Sequence, residues 1–272
     1  MAESKTKKTK APIVSRHLNF SPGSYLEATA RPLYALLFLL PLIALYELGT
    51  ISINTTHIYE TLTQKRVVAF IWLTGLARSI GFRENFTWAF PGLVVVIILL
   101  CWHLAARQSW YIRWPWLAWM AVEAVISSIP LLVLNAALGS SANAMAHYGG
   151  PDQSYLAHVI TGIGAGIYEE LVFRFIIIGL IIILMEDVLK TTPTQATLAA
   201  VLVSAALFSA HHYVGFDIAR FAFYQVEPFM MVGFIFRAAA GIYFALLFRY
   251  RGYGITAGAH AAYNIILTTF WG

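Results

Sequence analysis

The sequence contains little charge and almost no cysteine. Only 11% of its 272 residues are charged, and Cys101 is the single cysteine, which excludes a disulfide within the chain, a CxxC redox pair and a thiolate metal cluster. Hydrophobic residues make up 59% of the chain, and the mean hydropathy is +0.70, outside the usual balance of soluble domains. The composition therefore indicates an integral membrane protein.

Apolar runs long enough to cross a bilayer recur along the chain, since a spanning helix needs roughly 20 mostly apolar residues. We predict spans over residues 32–49, 86–106, 116–138, 155–185, 194–213, 229–249 and 255–271. Residues 67–80 form a shorter run, which predicts either an interfacial helix or an eighth span. The predicted fold is an all-α, polytopic transmembrane helical bundle of seven or eight spans.

The amino-terminal segment differs in composition. Residues 1–12 carry four lysines and no apolar core, so they match neither a signal peptide nor a transit peptide. We expect a disordered cytoplasmic arm over residues 1–30 and one transmembrane domain over residues 31–272, with a motif-bearing core over 155–272. The net charge of +5 comes largely from cations at predicted span ends, where lipid headgroups explain it without a nucleic acid. A bacterial or archaeal cytoplasmic membrane is favoured, with the endoplasmic reticulum as the alternative.

The stretch GIYEELVFRF places three charges inside a predicted span, where ionisable groups are costly and need a partner or a role. Glu170 and Arg174 are four residues apart, so they share one helical face and can form a charge-assisted pair. Glu169 is turned by about 100° from Glu170 and can therefore face a cavity. The alternative is a buried structural network in which Glu169 is only an additional acceptor.

Two later segments, ALFSAHHYVG and GAHAAYNII, bring imidazoles into the same region. His212 follows Phe208 by four residues, and Asn264 follows His260 by four, so each pair projects from one helical face. A carboxylate and an imidazole can hold and deprotonate water, while an imidazole and an amide can donate to an oxyanion. These groups together favour a hydrolytic centre.

Glycines precede both polar segments at GxxxG spacing. They are Gly162 and Gly166 before the glutamates, and Gly254 and Gly258 before His260. Small residues let helices approach closely in lipid. We therefore predict close packing that draws the polar helices together.

Three motifs occur in order, namely EExxxR, FxxxH and HxxxN. In this arrangement the sequence resembles the CPBP family, which includes type II CAAX prenyl proteases, bacteriocin-processing and immunity proteins, and glutamic-type intramembrane endopeptidases. The resemblance covers residues 155–272. It implies an intramembrane endopeptidase in which water attacks a peptide carbonyl without a covalent intermediate.

The resemblance also implies roles for individual residues. Glu169 would be the catalytic base, helped by His212, whose spacing from Phe208 favours it over His211. The oxyanion-stabilising pair would be His260 and Asn264. The supporting residues would be Glu170, Arg174, Phe208 and His211.

Simple crossings would place His212 and His260 at opposite depths in the membrane. Because both must reach a water held by Glu169, we predict that the helix carrying His212 continues or re-enters beyond Tyr213. The mechanism requires Glu169 and His212 to lie within about 10 Å of each other, roughly three times the reach of a hydrogen bond.

Alternatives remain open. A zinc hydrolase could use Glu169, His212 and His260 as ligands, but the chain has no HExxH and the resemblance implies a metal-independent site, so no cofactor is expected. A proton relay, transporter, scaffold or immunity protein could use the same buried groups without proteolysis. A serine or intramembrane aspartyl protease fits poorly, because neither GxSxG nor a pair of intramembrane aspartates is present.

The expected partners are the lipid bilayer and a membrane-anchored protein or peptide. Such a substrate could be a prenylated carboxyl terminus, a bacteriocin precursor or a carboxyl-terminal sorting helix. Three further ionisable residues of the predicted spans have no assigned role, namely Glu47, Glu123 and Arg237. They either line the cavity or pair with one another, and structural pairing is the favoured interpretation.

Overall fold

The computed structural model describes residues 20–21, 23–53, 67–82, 89–138, 155–217 and 222–271. Most of the predicted amino-terminal arm lies outside the described residues, as does the start of the predicted span 86–106. The helices in chain order are α1 (Tyr25–Thr29), α2 (Pro32–Ile53), α3 (Val68–Ser79), α4 (Phe90–Ala106), α5 (Pro115–Leu138), α6 (residues 155–188), α7 (Pro193–Ala210) and α8 (Met231–Trp271). A two-stranded antiparallel hairpin, β1 (Val214–Asp217) and β2 (Ala222–Gln225), lies between α7 and α8.

The all-α membrane fold is confirmed, but the number of spans is not. Within the described residues, four helices are long and apolar enough to cross a membrane, by length and composition: Pro32–Ile51, Pro115–Leu138, Pro193–Ala210 and Met231–Phe270. Val68–Ser79 and Phe90–Ala106 are shorter apolar helices. The protein is thus an integral membrane protein, and seven or eight spans remains a prediction.

Helix α6 alternates regular and π-helical turns. Tyr155–Gly164 and Ile178–Ile182 are α-helical, whereas Ala165–Glu169, Leu171–Ile177 and Ile183–Val188 are π-helical. Such widened turns often occur at functional sites. Here Glu169 and Arg174 of the EExxxR motif lie in the first two π segments, and Glu170 lies between these segments.

Helix α8 is broken at Gly252, whose φ of 79° and ψ of 179° are not helical. A positive φ of this kind favours glycine, and a Cβ there would approach the carbonyl oxygen of Ala30 at 3.3 Å. The break falls between the two helices predicted over residues 229–249 and 255–271. It divides α8 into a first half that follows the hairpin and a second half that carries His260.

Helix α7 has well-defined ends. At its start, Thr192 and Gln195 form a capping box and Pro193 occupies the first turn, as is typical of helix amino termini. At its end the chain turns through residues 211–213 and enters the hairpin, where the Val226 N–H donates to the Tyr213 carbonyl at 2.9 Å. The predicted continuation of the helix beyond Tyr213 is therefore wrong, because the β-branched and aromatic residues of VGF favour a strand. The alternative, that the chain re-enters the membrane after this turn, stays a prediction.

Glycines account for the close approach of α6 to α8. A Cβ on Gly162 would meet Asn264, and a Cβ on Gly166 would meet backbone atoms of Ala257 and Ala261. This confirms the predicted packing for the first glycine pair. The second pair differs from the prediction, since Gly254 and Gly258 pack against α2 and α5 and not against another motif-bearing helix.

Substituting alanine for Gly166 is expected to destabilise the protein by about 1–3 kcal/mol, the usual cost of overpacking. The added Cβ would lie 2.5 Å from the Ala257 oxygen, and backbone cannot move aside as a flexible side chain can. The measurement is thermal unfolding in detergent, followed by tryptophan fluorescence. Gly179→Ala is the matched control on the same helix, because no atom lies within 4 Å of its added Cβ; equal unfolding midpoints for the two variants would contradict the packing argument.

Candidate active site

The polar residues of the three motifs meet in one buried cluster. Glu169 lies at the end of a π segment of α6, His211 and His212 lie in the turn after α7, and His260 lies on the second half of α8. Glu169 is completely buried and the three histidines are 3–4% exposed. The cluster thus joins elements that are far apart in the sequence.

Glu169 contacts the imidazoles that follow α7. His211 Nε2 lies 3.5 Å from Glu169 Oε1, and one ligating atom each from Glu169, His211 and His212 lies within 4.8 Å of the others. The separation of Glu169 and His212 is therefore well inside the predicted limit of about 10 Å. The other nitrogen of His211, Nδ1, contacts the carbonyl oxygen of Phe208, which orients that ring.

His260 bridges the two adjacent glutamates. Its Nδ1 lies 2.8 Å from Glu170 Oε1, and its Nε2 lies 3.9 Å from Glu169 Oε2. Glu170 also contacts Arg174, whose Nε is 3.0 Å from Oε2, and both of these side chains are fully buried. The predicted contact between Glu170 and Arg174 is thus present, and Glu170 additionally fixes the orientation of the His260 ring.

Phe208 lies at the centre of the cluster. The centroid of its ring is 5.4 Å from those of His211 and His212 and 5.9 Å from that of His260. The Arg174 guanidinium carbon lies 4.1 Å from the same centroid, within the range of a cation–π contact. Phe208 therefore packs against residues from all three motifs.

Asn264 lies one helical turn beyond His260 and is directed at α6. Its Nδ2 donates to the Gly162 carbonyl at 3.4 Å, which is longer than a typical hydrogen bond of this type. The structure thus places Asn264 at the α6–α8 contact, on the same helix as His260.

Several neighbours of the cluster carry no sequence signal of their own. Phe244 stacks on His260 at 4.6 Å, and Phe173 lies 4.6 Å from His211. Tyr168, directly before Glu169, donates to Glu47 Oε1 at 2.8 Å. For this contact, the sequence signal is the position of a charged residue, Glu47, inside a predicted span.

The other two unassigned charges also have partners. Glu123 is engaged by Arg251, with Nη2 at 2.8 Å from Oε2, and by the Tyr25 hydroxyl at 2.7 Å. Arg237 pairs with Glu227, Nη2 to Oε2 at 2.9 Å. Structural pairing is thus observed for both charges, but these partners lie outside the set of three residues that were predicted to pair with one another.

Helix α1 lies outside the membrane-spanning segments and is connected to α8 by hydrogen bonds from Arg251. Arg251 donates to the Leu26 carbonyl and to Thr29 Oγ1, each at 2.9 Å. Burial, together with the neighbouring Glu123 carboxylate, raises the pKa of the Tyr25 hydroxyl above its ordinary value. The phenol therefore stays protonated and remains a donor at neutral pH.

The fold and the cluster together define a class. Apolar helices of membrane-spanning length bury two carboxylates, a guanidinium and three imidazoles at one place. Ionisable groups in such a setting usually mark a functional site. The protein is an integral membrane protein with a buried polar centre.

A comparison of sequences identifies a family to which part of the chain is similar. The family model described as type II CAAX prenyl endopeptidase Rce1-like matches residues 151–266, a segment that contains all three motifs. The match confirms the resemblance to this CPBP-type family and supports a membrane peptidase. Comparison with curated proteins and with solved structures gives no match.

Proposed function

We propose that the protein is a glutamic-type intramembrane endopeptidase that hydrolyses a peptide bond in a membrane-anchored protein or peptide. The observation that carries this proposal is the contact of one fully buried carboxylate, Glu169, with imidazoles from two other elements. A carboxylate and an imidazole that face the same small space can share a water molecule and remove its proton. The Rce1-like family match over residues 151–266 supports the same reaction class.

In the proposed reaction Glu169 is the general base. It takes a proton from the water while an imidazole after α7 orients that water, and the oxygen attacks the peptide carbonyl to give a tetrahedral oxyanion. When this intermediate collapses, the C–N bond breaks and Glu169 returns the proton to the leaving amine. His212 has the motif spacing for the orienting role. His211 is the alternative, because its Nδ1 contacts the Phe208 carbonyl and its Nε2 is directed at Glu169.

His260 and Asn264 are proposed to stabilise the oxyanion that forms on the carbonyl. His260 can do so through Nε2, provided that this atom carries a proton while Nδ1 is engaged with Glu170. Asn264 can do so if its Nδ2 hydrogen bond moves from the Gly162 carbonyl, now 3.4 Å away, to the oxyanion, which is the stronger acceptor. Donors placed where charge develops typically supply a large share of catalysis.

The substrate class follows from the setting. A site enclosed by apolar helices receives its peptide from within or beside the bilayer, so the substrate carries a lipid or a membrane helix. The description of the matching family makes a prenylated carboxyl terminus the first candidate. A bacterial or archaeal cytoplasmic membrane is the proposed location.

A comparison of membrane proteomes tests the proposal. Cells that express the wild-type chain or Glu169→Ala at equal levels are searched for a precursor that accumulates uncleaved in the variant. Such a precursor supports the protease and identifies the cleaved bond. A phenotype of the variant without any accumulated precursor would instead favour a proton relay or a binding site.

One observation favours a zinc hydrolase as a second candidate. Glu169, His211 and His212 offer three ligand atoms within 4.8 Å of one another, and zinc accepts two histidines with one carboxylate. The His211 Nδ1 contact with a backbone carbonyl is also typical of metal-bound histidines. The zinc ligands predicted from the sequence were Glu169, His212 and His260. The observed set has His211 in place of His260, whose Nδ1 contacts Glu170 instead.

We expect cleavage to persist after chelation, because the proposed site activates water with side chains alone. The measurement is the rate of hydrolysis by purified protein before and after dialysis against a chelator, together with its zinc content. Stoichiometric zinc, with loss of activity on chelation and recovery on adding zinc, would reverse the preference between the two mechanisms.

A further inference from the structure

A second charged pair lies beside the cluster without belonging to it. Arg237 is on the first half of α8 and is only 6% exposed. Its Nη2 contacts Glu227 Oε2 at 2.9 Å, and the Glu227 side chain is 40% exposed. The pair thus joins a buried cation to an anion at the surface.

Arg237 is close to the histidines that follow α7. Its guanidinium carbon lies 5.2 Å from the centroid of the Tyr213 ring, and Tyr213 directly follows His212. A group bound at Arg237 would therefore be a near neighbour of the proposed catalytic centre.

Exposed apolar side chains follow Glu227 closely in the chain. The Phe229 ring lies 5.1 Å from that of Tyr213, and it is 58% exposed. Met230 next to it is 48% exposed. The surface thus combines a buried cation with apolar groups, which suits a peptide end that has apolar side chains and a negative charge.

We propose that Arg237 is a subsite for a carboxylate of the substrate and that Glu227 occupies this subsite when no substrate is bound. The proposal rests on the function proposed above. A guanidinium binds carboxylates through paired, charge-assisted hydrogen bonds, and Glu227 already demonstrates that a carboxylate fits here. The carboxylate could be the carboxyl terminus of the substrate or an acidic side chain near the cleaved bond.

The exchange of one carboxylate for the other is physically reasonable. An ion pair with a solvent-exposed partner contributes little to stability, so Glu227 can be displaced at small cost. Arg237 itself is buried and has Tyr213 beneath its guanidinium, so the cation keeps its position. The substrate would therefore exchange with Glu227 without rearranging α8.

Three quenched fluorescent peptides test the subsite, each with a farnesylated cysteine followed by three residues. The first has a free terminal carboxylate, the second a terminal amide, and the third a terminal amide with aspartate as its last residue. Wild-type protein in detergent should cleave an acidic probe with a higher kcat/KM than the neutral one. Preference for the first identifies the terminal carboxylate, and preference for the third identifies a side chain.

Two variants separate recognition from a structural role. Arg237→Gln should lower kcat/KM for the preferred acidic probe by roughly tenfold to hundredfold, so that its ratio to the neutral probe falls toward one. Glu227→Gln should lower KM for the acidic probe, because it removes the competing carboxylate. A purely structural ion pair predicts the opposite for Glu227→Gln, namely weaker cleavage of every probe.

The possible results distinguish failure of the subsite from failure of the proposed function. Equal cleavage of all three probes by the wild-type protein overturns the subsite and leaves the peptidase standing. A higher KM for the acidic probe in Glu227→Gln also overturns it. Cleavage of none of the probes contradicts the prenylated substrate class, and the subsite with it.

Discussion

Replacing Glu169 with glutamine is expected to lower the rate of peptide hydrolysis by about 10²–10⁴-fold, the range that a positioned general base contributes. The amide has nearly the same shape as the carboxylate, so the packing around this buried residue is preserved. It cannot accept the proton of the attacking water. The measurement is kcat of purified protein on the farnesylated peptides or on a precursor found in cells.

Asp187→Asn is the matched control for this variant. Asp187 lies on the same helix and is exposed, so the same chemical change should leave the rate near that of the wild type. Unfolding midpoints of both variants, measured in detergent, show whether the fold is retained. A folded Glu169→Gln protein that hydrolyses the peptide at the wild-type rate would exclude Glu169 as the base.

Replacing Arg174 with methionine is expected to destabilise the protein by about 3–5 kcal/mol, the usual cost of breaking a buried ion pair from one side. Arg174 and Glu170 are both fully buried, so the variant leaves a carboxylate without its arginine in an apolar interior. The cation–π contact of Arg174 with Phe208 is lost as well. The measurement is thermal or denaturant unfolding in detergent.

The double variant Glu170→Gln with Arg174→Met tests whether the unpaired charge causes this loss of stability. It removes both charges, so most of the lost stability should return if the isolated carboxylate is responsible. Arg78→Met is the control for the substitution itself, because Arg78 is exposed on α3. Equal destabilisation by the single and double variants would show that packing, and not charge, dominates at this site.

Local spacing explains why part of the site was predictable. Glu170 and Arg174 are on one helix, and residues four apart share a face even where the helix widens into π turns; their contact is present at 3.0 Å. The meeting of Glu169 with the histidines was predictable only through the order of the three motifs. Nothing in the local sequence positions one helix against another.

Other features depend on tertiary contacts that the sequence pattern does not contain. The hairpin after Tyr213 has four strand residues on each side. In a membrane protein, such short apolar strands are easily mistaken for the continuation of a helix. The partners of Glu123 and Arg237 lie 128 and 10 residues away along the chain. Sequence spacing also cannot decide whether His211 or His212 orients the water. Both residues lie in the turn after α7, where helical spacing no longer holds.

The ion pair on α6 has a consequence for how the chain enters the membrane. Glu170 and Arg174 belong to one helical turn, so they can neutralise each other as soon as that turn forms, which lowers the cost of transferring the segment into lipid. His260 lies 90 residues further on and emerges from the ribosome much later. If the predicted span over residues 155–185 crosses the bilayer, Glu170 enters with its arginine already in place. The contacts of both glutamates with His260 then form only after the last helix has been synthesised.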